Sequence, residues 1–244
     1  MFDQSVLAAL SAKKAFSLKD FLLANQANGC LLGEEAIRKR LRSLIQTGEV
    51  MRVGRNAYCI AEKNVGHYRH EYSELAERVA AIVHEEYPVL EFSIFELIQL
   101  NEFVNHQLAH NVLFLSVEEG IGEFVFETLK EHFPGKVMLN PTPELYHQYW
   151  YEDMIVIGKL VTEAPKGHEQ PWHTRLEKML VDLVTEQILM KSISENEIPA
   201  ILEDAFSRYA VDESCLFRYA KRRTAEKRLR TLIREKTNIS LRTE

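Results

Sequence analysis

A chain of 244 residues with 46% hydrophobic and 27% charged side chains has material for more than one core, which excludes wholesale disorder. Its formal net charge of -6 excludes a surface built uniformly for nucleic acid, although Lys and Arg concentrate at residues 38–55 and 218–236. Cys30, Cys59 and Cys215 are odd in number and far apart, with neither a disulfide framework nor a CxxC zinc motif. The opening residues lack the positive start and apolar run of a secretory signal, and no apolar stretch reaches the length of a membrane span. The expected location is therefore cytoplasmic, with no membrane partner.

In chain order, Val6, Leu7 and Leu10 predict a helix over residues 2–12. Ser17 predicts the N-cap of a second helix over 18–25, with Asp20 at the capping-box position and Asn28-Gly29 as the following turn. Phe16, Phe21, Leu22 and Leu31 are expected in the core. Over residues 34–47, Ile37, Leu41, Leu44 and Ile45 form one apolar stripe. Lys39, Arg42, Ser43 and Gln46 fall on the opposite side, with Arg38 and Arg40 at its flanks, and Gly48 is expected to stop the helix. Val50-Met51-Arg52-Val53 and Ala57-Tyr58-Cys59-Ile60 bracket Gly54-Arg55-Asn56, which predicts a short hairpin.

Two short helices, a basic helix and a basic hairpin follow the order of a winged helix-turn-helix. This predicts a first domain over residues 1–62 whose partner is double-stranded DNA. A helix can read the major groove while arginines at a hairpin tip neutralise phosphates. The candidate DNA-binding residues are Arg38, Lys39, Arg40, Arg42, Ser43, Gln46, Arg52 and Arg55. The competing reading is a solvated basic face.

A polar connection at 62–68 leads into a second domain, 63–170, of α/β character. Helices are predicted at 72–87, 97–110 and 123–133 and strands at 89–95, 112–117, 136–139 and 154–162, with one helical turn at 144–149. The remainder, 171–244, is predicted as a helical section packed on the α/β domain. Its helices run over 171–190, over 195–209 with Ser194 as N-cap and Glu197 in a capping box, and over 213–236. The expected fold class is thus α+β or α/β: a winged helix, then a small mixed sheet with helices, then the helical section.

Three constellations could carry other chemistry. On a helix over 97–110, Glu102, His106 and His110 would share one face as metal ligands, but Gln107 stands where a zinc protease needs its general-base glutamate. Gly120-Ile121-Gly122 lacks the third glycine of a dinucleotide loop and reads as a simple strand-to-helix turn. Glu91, Glu96, Glu118, Glu127, Asp153, Glu163, Glu177 and Asp182 could build a magnesium nuclease site, yet no clean acid and acid-x-lysine grouping is present. The basic stretch 218–236 suits a phosphate contact or an acidic protein partner.

The run from Leu41-x2-Leu44 through Gly48-Glu49-Val50-Met51-Arg52-Val53-Gly54-Arg55-Asn56-Ala57-Tyr58 resembles the N-terminal winged helix of AbiEi-type antitoxins. Leu176-Glu177-Lys178-Met179-Leu180-Val181-Asp182-Leu183 is similar to a segment of their C-terminal domain, and Asn56 departs from a glycine common after the wing arginine. The resemblance implies a transcriptional autorepressor acting as the antitoxin of a type IV toxin–antitoxin pair. The partner it implies is a nucleotidyltransferase-like toxin, with no cofactor and no catalysis. The alternatives are a metal-dependent nuclease or metalloenzyme in the α/β domain, and a protein-interaction module carrying a winged helix.

Overall fold

The structure, a computed structural model, describes residues 2–30, 32–47, 49–61, 66–104, 107–149 and 151–242, with residues 2–4 and 46 described by their backbone alone. It is a mixed α/β chain with two small sheets and many helices.

The N-terminal portion comprises α1 (Phe2–Leu10), α2 (Leu18–Ala27) and α3 (Glu34–Gln46), then β1 (Val50–Gly54) and β2 (Ala57–Ile60). The expected capping box opens α2: Asp20 N–H donates to Ser17 Oγ at 3.2 Å, and Ser17 N–H returns to Asp20 Oδ2 at 2.8 Å. Gly29, at φ 77°, closes the helix, with Cys30 N–H reaching Asn25 O and Gly29 N–H reaching Gln26 O, both at 2.9 Å. Ile37, Leu41 and Leu44 of α3 are buried with Val6, Leu10, Phe16, Phe21 and Val50, as the periodicity requires. Leu22 is half-buried, and Leu31 and Gly48 lie outside the described residues.

The four-stranded sheet has the order β3-β4-β6-β5, built from β3 (Phe92–Glu96), β4 (Val112–Val117), β5 (Val137–Leu139) and β6 (Met154–Lys159). β3 is antiparallel to β4, whereas β6 is parallel to both β4 and β5. Alternation along the strands feeds two cores. Leu113, Leu115, Ile155 and Ile157 face α4 (Glu74–Glu86) and α5 (Gly122–His132). Val112, Met154 and Val156 face the helical section: α7 (Leu176–Asp182), α8 (Gln187–Ser192), α9 (Ile198–Arg208), α10 (Glu213–Arg222) and α11 (Glu226–Lys236). The short α6 (Pro143–Tyr149) contributes Tyr146 to that second core.

Four expected helices are altered, each for a local reason. The helix over 97–110 is a 3-10 segment, Leu97–Glu102, because the Asn101 amide pairs with Leu108 backbone on both edges, at 2.6 and 3.1 Å, and holds an irregular loop. The helix over 171–190 begins only at Leu176. Ahead of it Trp172 O accepts from Ile94 N–H at 2.8 Å, and the segment lies along the free edge of β3. α9 begins at Ile198 rather than after Ser194, which places Pro199 in the first turn, where its missing N–H breaks no helical bond. The long helix over 213–236 divides at Thr224, which adopts φ 54° while Ala225 N–H bonds to Ala220 O at 2.8 Å and Thr224 N–H to Lys221 O at 3.1 Å. Among the described residues no helix is long and apolar enough to cross a membrane.

Candidate nucleic-acid interface

Residues 1–61 hold nine Lys and Arg against five Asp and Glu, although the whole chain is acidic. α3 concentrates this charge. Its inner face is sealed in the three-helix core, so Lys39, Arg42 and Ser43 stand exposed on the outer face. Arg38 is exposed but meets Glu34 one turn earlier, with Nε 3.0 Å from Oε1. Arg40 differs from the others: it is half-buried and donates through Nη1 to Asn25 Oδ1 at 3.1 Å, tying α3 to α2. The Gln46 side chain lies outside the described residues.

Both faces of the hairpin are covered. Val50 enters the three-helix core, whereas Met51, Val53 and Cys59 form a second cluster against Ala210. Arg52 and Arg55 remain exposed, Arg52 folding its Nε back to Gly54 O at 3.2 Å. Asn56 takes φ 55° at the turn, and its Oδ1 accepts from Leu18 N–H at 3.1 Å. On the other side Arg55 N–H donates to Ser214 Oγ at 3.0 Å. The hairpin is therefore clamped between the start of α2 and the start of α10, and its arginines are offered from a fixed backbone. The chain leaving it is held as well: Gly66 N–H donates to Arg208 O and Ala210 N–H to Gly66 O, both at 2.9 Å.

A buried polar network, which residue spacing did not reveal, connects this hairpin to α7. Arg175 grips Glu177 with Nε and Nη2 at 2.9 and 3.0 Å. Glu177 Oε1 also accepts from Asp212 N–H at 2.8 Å, and Asp212 is the N-cap of α10, the helix that carries Ser214. One turn along α7, Lys178 Nζ donates to Asp182 Oδ2 at 2.7 Å, and Tyr219 O–H donates to Asp182 Oδ1 at 3.1 Å. Burial pushes the Tyr219 phenol far above its ordinary value, and the Asp182 charge adds to the effect, so this tyrosine stays a donor. Glu177, Lys178 and Asp182 are at most 6% exposed. In the sequence they stand as three charged residues inside an otherwise apolar helix.

The second basic block is largely occupied within the chain. Arg222 pairs with Glu163 and Arg223 with Glu186, while Arg230 pairs with Glu226 at 3.1 Å and covers the Phe217 ring at 3.7 Å. Arg228 donates to Val184 O at 3.1 Å. These contacts fasten α10 and α11 to their surroundings, while Lys221, Lys227, Arg234 and Lys236 stand exposed.

Glu102 and His110 do not share a helix face, because the 3-10 segment ends at Glu102 and the chain is irregular at 107–110. Glu102 bonds with Arg208 and Tyr209, and His106 lies outside the described residues. Among the described residues no three His, Cys, Asp or Glu side chains are grouped to hold a metal. Glu96, one of the scattered acids, is fully buried as a structural hub accepting from Ser73, Asn111 and His70.

Residues 36–239 match a family model described as a family of unknown function (DUF6577). No curated protein matches the chain. Among solved structures it is similar to the RV2827C protein from Mycobacterium tuberculosis, with 9% identity and a TM-score of 0.34 over 98% of this chain and 83% of that one. A likeness at that TM-score carries no argument.

Proposed function

We propose that this chain, which belongs to the family of unknown function (DUF6577) by a match over residues 36–239, is a DNA-binding transcriptional regulator. The observation that carries the reading is one arrangement. Lys39, Arg42 and Ser43 are exposed on the outer face of α3, and the neighbouring hairpin presents Arg52 and Arg55 from a backbone held at both sides. The three helices and hairpin then work as a winged helix-turn-helix, with α3 in the major groove and the hairpin on the flanking phosphates. A clamped hairpin suits this role because less freedom is lost when it meets DNA.

The resemblance at residues 41–58 and 176–183 extends the proposal: the regulated operon is its own, and the chain is the antitoxin of a type IV toxin–antitoxin pair. A nucleotidyltransferase-like toxin is the proposed counterpart. The activity is binding rather than catalysis.

The test is equilibrium binding to the DNA upstream of the chain's own gene across a salt series. Arg52→Ala with Arg55→Ala should weaken binding and lower the salt slope by about 2, since each phosphate contact contributes about 0.9. Unchanged affinity and slope would remove the hairpin from the interface. Co-expression with the neighbouring gene tests the antitoxin role separately: rescue from growth arrest is expected, and its absence would confine the proposal to DNA binding.

A further inference from the structure

Helix α10 begins at the hairpin tip: Asp212 is its N-cap, and Ser214 in its first turn accepts from Arg55 N–H at 3.0 Å. From Ser214, helical spacing puts Arg218, Lys221 and Arg222 on the same face, four, seven and eight residues on. All three are exposed. The rest of the helix, Glu213, Cys215, Leu216, Phe217, Tyr219 and Ala220, is buried. What α10 leaves to solvent is therefore a basic stripe that starts where the hairpin ends.

The stripe is not neutralised within the chain. Glu163 pairs with Arg222 and stands 3.9 Å from Arg218, so one carboxylate serves two guanidinium groups. Among the described residues Lys221 has no ion-pair or hydrogen-bond partner. Three cations thus face one carboxylate. The dipole of α10 accounts for Lys221 and Arg222 in the last turn, but Arg218 stands a turn earlier. At a rise of about 1.5 Å per residue, Lys221 lies about 10 Å along the helix from Ser214. That is the length of about three base pairs at about 3.4 Å each.

We infer that this stripe continues the DNA interface past the hairpin, with Arg218 and Lys221 on phosphates of the duplex beyond those met by Arg52 and Arg55. The inference rests on the DNA-binding reading and adds to it a contact from the C-terminal helices. Because the contact is to phosphates, it adds affinity and orientation without reading sequence.

The test is equilibrium binding of the full chain across a salt series, with hydroxyl-radical footprinting, on the duplex upstream of its own gene. Arg218→Ala with Lys221→Ala should lower the salt slope by about 1.8, at about 0.9 per phosphate contact. The footprint should shorten by about three base pairs on the hairpin side and keep the protection given by α3 and the hairpin. The slope should fall equally on a scrambled duplex. If the double variant unfolds at a lower temperature than the unaltered chain, Lys221→Ala alone decides, with an expected fall of about 0.9. An unaltered slope and footprint in the deciding variant would overturn the inference. In that case a lower slope in the Arg52→Ala, Arg55→Ala variant would leave the hairpin reading standing. No salt-dependent binding by the unaltered chain would remove both.

Discussion

Arg55 donates its backbone N–H to Ser214 Oγ at 3.0 Å, joining residues 159 positions apart and fixing the hairpin tip to the first turn of α10. Asn56 makes the matching contact on the other side, accepting from Leu18 N–H. These bonds decide how the Arg52 and Arg55 side chains are offered, because among the described residues neither arginine is held through its own guanidinium to another element.

Ser214→Ala removes one clamp and leaves every hairpin charge in place. The expected cost is about 0.5–1.5 kcal/mol of stability, with faster hydrogen exchange along β1 and β2. DNA binding should weaken modestly while its salt slope stays unchanged, since the phosphate contacts are intact. A loss of slope in this variant would show that the charges depend on the clamp.

Arg40 and Arg42 should separate cleanly. Arg40→Ala leaves the side-chain oxygen Oδ1 of the buried Asn25 without its guanidinium donor and should cost about 1–3 kcal/mol in urea unfolding. Arg42 is exposed, so Arg42→Ala should change stability by no more than about 0.5 kcal/mol and still lower the salt slope of DNA binding by about 0.9. The reverse pattern would mean that α3 turns another face to its ligand.

Glu96 sets an acid limit on stability. Burial pushes its carboxyl up, but the hydrogen bonds from His70, Ser73 and Asn111 outweigh this and hold it below its ordinary value. The folded state thus favours the ionised form. That stabilisation is complete above the ordinary carboxylate range and is lost as the pH falls through the lowered value. Urea midpoints across a pH series should therefore drop on the acid side. Glu96→Gln should be less stable near neutrality and should show a shallower acid limb. Parallel limbs in the two proteins would place the acid sensitivity elsewhere.

The cysteines should differ in reactivity. Cys30 is half-exposed, Cys59 is buried, and burial pushes the Cys215 thiol up to about 11, with Glu177 adding to the shift. Under native conditions a thiol reagent near pH 8 should label Cys30 first, and unfolding should release the other two. Rapid native labelling of Cys215 would indicate that α10 opens readily from α7.

Much of the architecture was legible because its causes are local. The Ser17–Asp20 capping box and the Gly29 stop of α2 sit within a few residues of the bonds they make. The break at Thr224 has the same hydrogen-bond pattern as the one at Gly29, but a β-branched residue occupies the left-handed position, so no glycine announced it. The loop after Glu102 was hidden for a similar reason. Asn101 looked acceptable inside a helix until its amide was seen paired with Leu108.

The sequence by itself determined which face of α3 is apolar, where the hairpin carries its arginines, and that residues 112–117 and the run from 154 form strands. Each follows from a period or a turn that the chain reads within one element. Only the tertiary structure decided that Arg40 belongs to the fold, that the arginines of the last helices are largely paired, and that the hairpin is clamped. It also decided that the exposed face of α10 begins at the hairpin tip. Those outcomes depend on residues far apart in the chain meeting in space, and no spacing along the sequence encodes which distant acid a cation finds.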